Sequence, residues 1–516
     1  MVWHLYSRYP KSGTCLKNIL PSTGARERKT KKGAHMKPSR RLFTQIVALA
    51  ALSSVVSSAE AKNAEEADLP KPSILILLVD DLGWGDVGYH DPQVASPNID
   101  AIAANGVEFD RFYVNPTCSP TRASLLTGQF STTHGVNGPI QWHSNEGLPL
   151  QWQTMADYLK KAGYQTHLVG KWHLGNANTA YWPQQRGFDS FYGHLNGGIG
   201  YFDHVFSGGL DWQKNGATLR EEGYTTDLIK SAAINRIENR KRQDDPLFLF
   251  VSFNAIHTPV EEPDNEGVKH QGRATLLRMI ASLDSAIGEI LDSLMRQPWG
   301  KETVIVFASD NGGSSPKPWL IEMLIPPMRD GYSSNGSLKQ GKGSVFEGGI
   351  RVPAAIWWPE KIESAKPFSQ VVHIADMLPT LMDIAGLEVP EVDGRSLKDA
   401  LLYNRPLKPR PIVVANFDNQ ALIDWPWKIV REGSLPVVPE FLKSDTWYLH
   451  NIQTDPSELD DLQGQFPQRF ERMRSALLSI PKRESVKFST DESWDTFGGE
   501  ETRMPWAEAA TRQRNN

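Results

Sequence analysis

Four apolar runs, each ending in a cluster of polar residues, constrain the folding of this chain more than any other feature. Ser73 to Val79 (SILILLV) leads into Asp80-Asp81, and Gln165 to Val169 leads into Gly170-Lys171-Trp172-His173. Leu247 to Phe253 (LFLFVSF) leads to His257, and Thr303 to Ser309 (TVIVFAS) leads to Asp310-Asn311. A strand with one wet face alternates apolar and polar residues, whereas a near-continuous apolar run needs cover on both faces, as in a parallel sheet. Between the runs lie helical stretches. The clearest places Leu276, Ile280, Leu283, Ile287, Ile290 and Leu294 at steps of three and four, one face of a helix. The expected fold is therefore α/β, a large and mostly parallel sheet sandwiched by helices. Ligands of open α/β sheets bind beyond the carboxyl ends of the strands. All four polar clusters fall at that edge, so they can converge although they are far apart in sequence.

The character changes after about Pro406. Pro411 to Asn416, Trp427 to Arg431 and Thr446 to Asn451 read as short strands, Asp455-Pro456 as a turn, and Pro467 to Leu478 as a helix. This divides the chain into a main domain over 70–405 and a smaller C-terminal α+β domain over 406–483. A polar tail follows over 484–516, expected to be loosely ordered. At the other end, the first 35 residues carry a basic cluster (Arg26, Arg28, Lys29, Lys31, Lys32) without apolar periodicity. Met36 then opens a signal-peptide layout: Lys37, Arg40 and Arg41, the apolar stretch Leu42 to Val56, and small residues ending Ala59-Glu60-Ala61. Residues 1–61 are expected to be leader and signal peptide, with Met36 the true start and cleavage near Ala59 or Ala61. The apolar stretch has 15 residues, short of the ~20 that span a bilayer, so stable membrane insertion is not expected.

The leader holds 11 Lys+Arg and 2 Asp+Glu, which leaves 44 basic and 58 acidic residues beyond it, a net charge of −14. An acidic body excludes a phosphate-backbone partner, so nucleic acid is not expected. An anionic substrate would need a local group of Lys, Arg and His to draw it in.

Asp80, Asp81, Asp310 and Asn311 offer only oxygen ligands, which suit a hard cation such as Ca²⁺ or Mg²⁺ over Zn²⁺. An Asp-Asp pair after a strand can equally cap the next helix, but two such pairs at strand ends favour a shared ion. Cys118 is the sole cysteine once the leader is set aside, so it has no intramolecular disulfide partner. It precedes a helix expected to begin near Thr121, where a positive helix terminus stabilises an oxyanion. Pro120 suits the first turn because its missing N–H has no partner there anyway. Arg122 carries a permanent charge on a planar fork; a surface ion pair is its ordinary alternative. Taken alone, Lys171 and His173 could be a polar loop, and His257 a structural histidine.

The continuous run Cys118-Ser119-Pro120-Thr121-Arg122-Ala123-Ser124-Leu125-Leu126-Thr127-Gly128 resembles the signature of the sulfatase family, and Gly170-Lys171-Trp172-His173-Leu174-Gly175 resembles a second family motif. The likeness runs from about Ser73 to Arg351 and more weakly to Leu462. Within the family the chain looks most like the arylsulfatase B branch, the N-acetylgalactosamine 4-sulfatases. That likeness rests on Val79 to Gly88, Gly187-Phe188-Asp189 and Phe346 to Arg351. The resemblance implies an alkaline-phosphatase-like fold with a mixed sheet, and a sulfuric ester hydrolase that removes sulfate from a sulfated carbohydrate, aryl sulfates serving as surrogates. It implies that a maturation enzyme oxidises Cys118 to Cα-formylglycine, whose hydrated aldehyde is the nucleophile. It also implies one cation per chain, Ca²⁺ before Mg²⁺, held by Asp80, Asp81, Asp310, Asn311 and residue 118.

Arg122, whose fork matches hydroxyl and carboxylate oxygens, is counted with the catalytic residues; by the same resemblance Lys171 contacts sulfate and nucleophile, and His173 bonds the formylglycine hydroxyl. His257 protonates the leaving alcohol, and Lys342, in Gly341-Lys342-Gly343 ahead of Glu347-Gly348-Gly349, is the second sulfate-binding lysine; Lys339 is the nearby alternative. Attack by one hydroxyl of the hydrate on sulfur, followed by loss of the second hydroxyl proton to a base such as His173, would expel sulfate and restore the aldehyde. The chain departs from the lysosomal members in lacking structural disulfides, which with a signal peptide fits a secreted or periplasmic bacterial enzyme. It departs also in the 314–335 loop with Lys317, Trp319 and Arg329. Trp142, Trp182, Trp212 and Trp319 are candidate sugar-stacking faces, and His134, His143, Tyr181 and His194 candidate rim residues. The alternatives are a phosphonate monoester hydrolase or phosphodiesterase of the same superfamily, or a non-catalytic sulfoglycan-binding protein.

Overall fold

The computed structural model describes residues 71–508 except 143, 208, 241–244, 265–271, 315–331, 363–365, 434–444, 484–485 and 487–504. The expected leader, His143, Trp319, Lys317, Arg329 and most of the tail lie outside the described residues.

The main sheet takes nine strands, which in chain order are β1 (Ile74–Val79), β2 (Val107–Glu108), β3 (Gln165–Lys171), β4 (Ser190–His194), β5 (Gln213–Lys214), β6 (Ala217–Thr218), β7 (Leu247–Ser252), β8 (Val304–Ser309) and β9 (Ala354–Trp357). Their spatial order is β2-β9-β8-β1-β7-β3-β4-β5-β6. The central strands β8, β1, β7, β3 and β4 are parallel, and antiparallel strands close both edges. The sheet is thus mixed and mostly parallel, as expected, and the four apolar runs are its central strands.

Double-sided cover explains their composition. Ile74, Ile76 and Leu78 of β1 join the core on one face of the sheet, and Leu75, Leu77 and Val79 join the core on the other. Each such side chain contributes about 1.5–3 kcal/mol by burial, so a charged residue anywhere in β1 would find no wet face. The long helix α3 (Arg273–Met295) buries all six residues of the predicted stripe. Its Asp284 also accepts the N–H groups of Asn98 and Ile99 at 3.0 and 2.8 Å. That places a carboxylate at the start of helix α1 (Pro97–Asn105), where the helix dipole favours it.

A second sheet is antiparallel in the order β10 (Ile412–Asn416), β11 (Asn419–Asp424), β12 (Trp427–Glu432), β13 (Thr446–Asn451). Strand β11 is an addition to the strands expected from the sequence. Asn416 pairs with Asn419 across a two-residue connection in which Phe417 takes φ 53°, so tertiary pairing extends a hairpin through a polar start. One face of this sheet packs Ile412, Val414 and Val430 on Val345, Phe346 and Ile350. The other packs Val413, Leu422 and Ile429 on Met473 and Leu477 of the C-terminal helix α4 (Pro467–Ser479). The tail departs from expectation at residues 505–508, where Trp506 and Ala507 are both 4% exposed.

Candidate active site

The polar clusters meet beyond the carboxyl ends of β1, β3, β7 and β8. Asp80 closes the end of β1 by two backbone bonds to the segment after β7: its N–H donates to Ala255 O (2.9 Å) and its carbonyl accepts from Ile256 N (2.7 Å). Asp81 takes φ 64°, a left-handed conformation that Asp tolerates better than bulkier residues. Its N–H faces Asp310 Oδ1 at 3.4 Å, and Asp310 N–H donates to Val79 O at 3.0 Å. Adjacent parallel strands therefore deliver both acidic pairs to one place.

Helix α2 runs Cys118–Thr127 with Thr117 as N-cap. It begins at Cys118, three residues before the expected start near Thr121. Pro120 is then the third helical residue, and the first four N–H groups of a helix lack intrahelical partners, so its ring costs no bond. Cys118 stays at the positive terminus, 2% exposed, with Sγ 3.4 Å from Asp80 Oδ1.

Three carboxylates and three cations interlock around it. Lys171 Nζ donates to Asp80 Oδ2 at 2.5 Å, with neither side chain exposed. Lys342 Nζ lies 2.6 Å from Asp81 Oδ1 and donates to Oδ2 at 2.8 Å. Arg122 Nε and Nη2 donate to Asp310 Oδ2 at 3.0 and 2.8 Å, and its Nη1 reaches Lys171 O (3.0 Å) and Ser252 Oγ (2.5 Å). Arg122 is thus a buried strut and no surface ion pair. Lys339 turns elsewhere: its Nζ donates to Glu458 O at 3.0 Å and lies over the Phe346 ring.

The charges shape protonation. Burial pushes the Asp81 carboxyl up, but Lys342, His257 and hydrogen bonds from Lys342 and Asn311 outweigh it and hold the group well below the ordinary range. Asp310 is pushed up to about 6, by burial first and then by Asp80, against the pull of Arg122 and Lys171. Burial, reinforced by Asp310 and Asp80, pushes the Cys118 thiol far up. An unmodified Cys118 therefore stays a thiol, which is neither a good nucleophile nor a good ligand. His257 is lowered to about 3 by burial and then Lys342, although Asp81 Oδ2 is 3.9 Å from its Nε2; its Nδ1 donates to Thr258 O at 2.6 Å. His173 is also held well below its ordinary value, by burial and then by Lys171 and Arg122. Its Nε2 donates to Ile140 O at 3.1 Å and its buried Nδ1 has no partner.

The residues fit a hard cation. Asp80, Asp81, Cys118 and Asp310 each offer a ligand atom within 4.8 Å of the others. Asn311 Nδ2 donates to Asp81 Oδ1 at 2.8 Å, which leaves its Oδ1 buried and without a hydrogen-bond partner. A lone carbonyl oxygen in a ring of carboxylates is what an oxygen-seeking ion takes up.

Several supports carry no sequence signal of their own. Tyr201 OH donates to Asn254 O (3.0 Å) and His257 O (2.9 Å), fixing the segment that bears His257. Gly197 and Gly198 make room for the histidines: a Cβ at either would lie 2.6 Å from the His173 ring or 3.0 Å from the His257 ring. Ser334 N–H donates to Asp86, whose carboxylate also pairs with Arg273, so the described end of the 314–335 loop is anchored beside the Asp80-Asp81 turn.

Of the rim candidates, Trp182 and Trp212 are core residues, 6% and 1% exposed, with indole N–H groups spent on Asn176 O and Glu221. His134 and His194 are fully buried, and His134 Nε2 is bonded to Ser124 Oγ at 3.1 Å. Tyr181 uses its carbonyl to accept from Trp172 Nε1. Trp142 alone of the described tryptophans proposed for stacking keeps part of its surface exposed.

The sulfatase family profile matches residues 72–387, and the profile of the N-sulphoglucosamine sulphohydrolase C-terminal region matches 340–479. The N-acetylgalactosamine-6-sulfatase of Canis lupus familiaris is 34% identical over 384 residues, 69% of this chain and 71% of the relative. Arylsulfatase A of Homo sapiens is 33% identical over 364 residues, 64% of this chain and 68% of the relative. The solved structure of Ps i-CgsB in complex with k-i-k-neocarrahexaose matches with a TM-score of 0.71 and 29% identity, covering 86% of this chain and 99% of that one.

Proposed function

The chain belongs to the sulfatase family, and from that premise we propose that it releases sulfate from a sulfated carbohydrate, with aryl sulfates as surrogate substrates. The observation that carries this reading is the interlocked set of Asp80–Lys171, Asp81–Lys342 and Asp310–Arg122 around residue 118. The sugar is supported by two relatives: one is named for N-acetylgalactosamine 6-sulfate chemistry, and the other was solved with a carrahexaose.

Cys118 oxidised to formylglycine supplies a hydrated aldehyde as nucleophile, and one divalent ion held by Asp80, Asp81, Asp310, Asn311 and residue 118, Ca²⁺ before Mg²⁺, supplies Lewis acidity. The chain's own residues do the rest. Lys171 and Lys342 have flexible stems and already sit inside the cluster, so they can turn from the carboxylates to the oxygens of an incoming sulfate and neutralise them. Arg122 holds Asp310 and the Lys171 backbone in register.

His257 is neutral in the free site, since burial and Lys342 hold it near 3. An anionic sulfate favours its charged form, so proton uptake accompanies substrate binding and the imidazolium then protonates the leaving oxygen. His173 stays neutral, and its unpartnered Nδ1 is the atom available to accept a proton from residue 118. Because Cys118 is 2% exposed, the maturation enzyme must meet it before the fold closes. The signal-peptide layout sends the enzyme to the periplasm or outside the cell, and no helix among the described residues is long and apolar enough to cross a membrane.

The test is sulfate release from a panel of defined sulfated oligosaccharides, followed by ion chromatography, with aryl sulfate and aryl phosphate esters in parallel. Protein whose Cys118 conversion is confirmed by mass spectrometry should release sulfate from at least one oligosaccharide and prefer aryl sulfate. Turnover of phosphate esters with none of sulfate esters overturns the reading.

A further inference from the structure

We infer that Trp142 forms a sugar-ring subsite beside the sulfate pocket, with Trp506 of the C-terminal segment as its positioning residue. This rests on the sulfated-carbohydrate reading above. A sugar whose ester reaches the buried cluster must leave its ring at the rim, and Trp142 is joined to the catalytic groups by short links. Ile140, two residues before it, donates its N–H to Ser119 Oγ at 3.0 Å and accepts from His173 Nε2 at 3.1 Å. The Trp142 carbonyl accepts from Asn176 Nδ2 at 2.7 Å, three residues beyond His173. Trp142 is partly exposed, and an indole offers an apolar face for the C–H face of a pyranose.

Trp506 packs against that indole. The two rings meet at 63° with centroids 5.2 Å apart, and Trp506 is 4% exposed. Its Nε1–H donates to Phe206 O at 3.0 Å. Phe206 belongs to the hairpin Val205–Phe206 with Gly209–Leu210, which continues from the segment where Gly197 and Gly198 pack on His173 and His257 and Tyr201 bonds the His257 carbonyl. One side chain from the far end of the chain therefore ties the wall beside His173 to the wall beside His257. Ala507 anchors the segment by entering the core that holds Trp172 and Leu195.

The test compares Trp142→Ala, Trp506→Ala and Trp506→Phe with wild type in two readouts: KM for a sulfated oligosaccharide that wild type desulfates, and inhibition by inorganic sulfate, which needs no sugar contact. Trp142→Ala and Trp506→Ala should each raise KM about fivefold to tenfold, and the double alanine variant should be no worse than about tenfold. Trp506→Phe keeps a ring against Trp142 but loses the Nε1–H bond to Phe206 O, so its KM should fall between those of wild type and Trp506→Ala. Sulfate inhibition should be unmoved in all. An unchanged KM in Trp142→Ala overturns the subsite, and that variant decides the matter even if Trp506→Ala fails to fold. Weakened sulfate inhibition in step with KM overturns it too, because the damage would then be to the sulfate pocket. Wild type that desulfates no carbohydrate at all sinks the function reading along with the subsite, whereas active wild type with unmoved variants sinks the subsite alone.

Discussion

Replacing Lys428 by methionine removes the ammonium from three side chains that are all 0% exposed. Lys428 Nζ donates to Glu347 Oε1 at 2.9 Å and lies 2.9 Å from Glu458 Oε1, a charge contact without hydrogen-bond alignment. Methionine fills the same length without charge, which leaves two carboxylates facing each other. Glu347 Oε2 keeps the Tyr113 hydroxyl at 2.9 Å and Glu458 Oε2 keeps the Glu347 N–H at 2.6 Å, while Glu347 Oε1 loses its Lys428 donor, so the loss is the charge pairing and one buried hydrogen bond. Removing one partner of a buried ion pair costs about 3–5 kcal/mol. The compact unit Leu69–Asn516 unfolds with an entropy of roughly 0.9 kcal/mol/K at ~2.1 cal/mol/K per residue, so Tm should fall by about 3–5 °C.

The deficit should depend on pH. Burial, with Glu347 adding and Lys428 opposing, pushes the Glu458 carboxyl up to about 7. A carboxyl raised on folding contributes stability that is present below its unfolded value and lost as pH rises through its folded one. The variant should therefore suffer most above pH 7 and least near pH 5, and adding Glu458→Gln should recover part of the loss. Thermal unfolding at both pH values reads this directly. A Tm within about 1 °C of wild type above pH 7 would refute the reasoning, since a buried pair of this kind cannot be so cheap to break.

Lys342→Ala should lower kcat/KM on an aryl sulfate about 10²–10³-fold, the scale of one charge-stabilising donor. Lys339→Ala, whose ammonium serves the Glu458 carbonyl and two aromatic rings, should stay within about threefold in the same assay; equal losses would mean the wrong lysine has been assigned. Chelation should lower Tm, and Ca²⁺ at about a thousand times its Kd should restore roughly 4 kcal/mol, about 4 °C here; a calorimetric trace unmoved by chelator and Ca²⁺ speaks against the ion. Asp211, pushed up from 3.8 to about 6 by burial against hydrogen bonds from Leu195 and Asn196, should likewise contribute stability below pH 4 that fades as pH rises through 6. Asp211→Asn should flatten the Tm–pH curve over that window, and an unaltered slope would show that the group does not hold a proton in the fold.

The sequence discloses what burial imposes on it. Runs such as SILILLV can only be central strands, and the stripe from Leu276 to Leu294 can only be one face of a helix. Ser190–His194 and Asn419–Asp424 are not legible because they mix polar and apolar residues, and Ala354–Trp357 because it is only four residues long; all three exist through the strands they pair with. Helix α2 starts earlier than expected because proline, a common helix opener, here occupies the third position of the first turn. Residues that bear charge at strand ends are legible; those that support them are not. Nothing in the sequence places Ser252 under Arg122, gives Tyr201 to the His257 carbonyl, or brings Trp506 back to Trp142 across more than 360 residues. Trp182 and Trp212 qualify as sugar platforms on residue type alone, which cannot distinguish a buried indole from an exposed one. The stretches behind the likeness to the N-acetylgalactosamine 4-sulfatases are scaffold: Gly83, Gly187 and Gly348 each admit a backbone atom within 2.3 Å of where a Cβ would stand. They report close backbone packing and say little of the sugar.

The most direct measurement is turnover of one sulfated oligosaccharide by preparations in which mass spectrometry sets the converted fraction of Cys118 at several values between none and all, each saturated with Ca²⁺. The rate of sulfate release should rise in proportion to the converted fraction and vanish at zero. Equal rates from converted and unconverted protein would contradict the account at its centre.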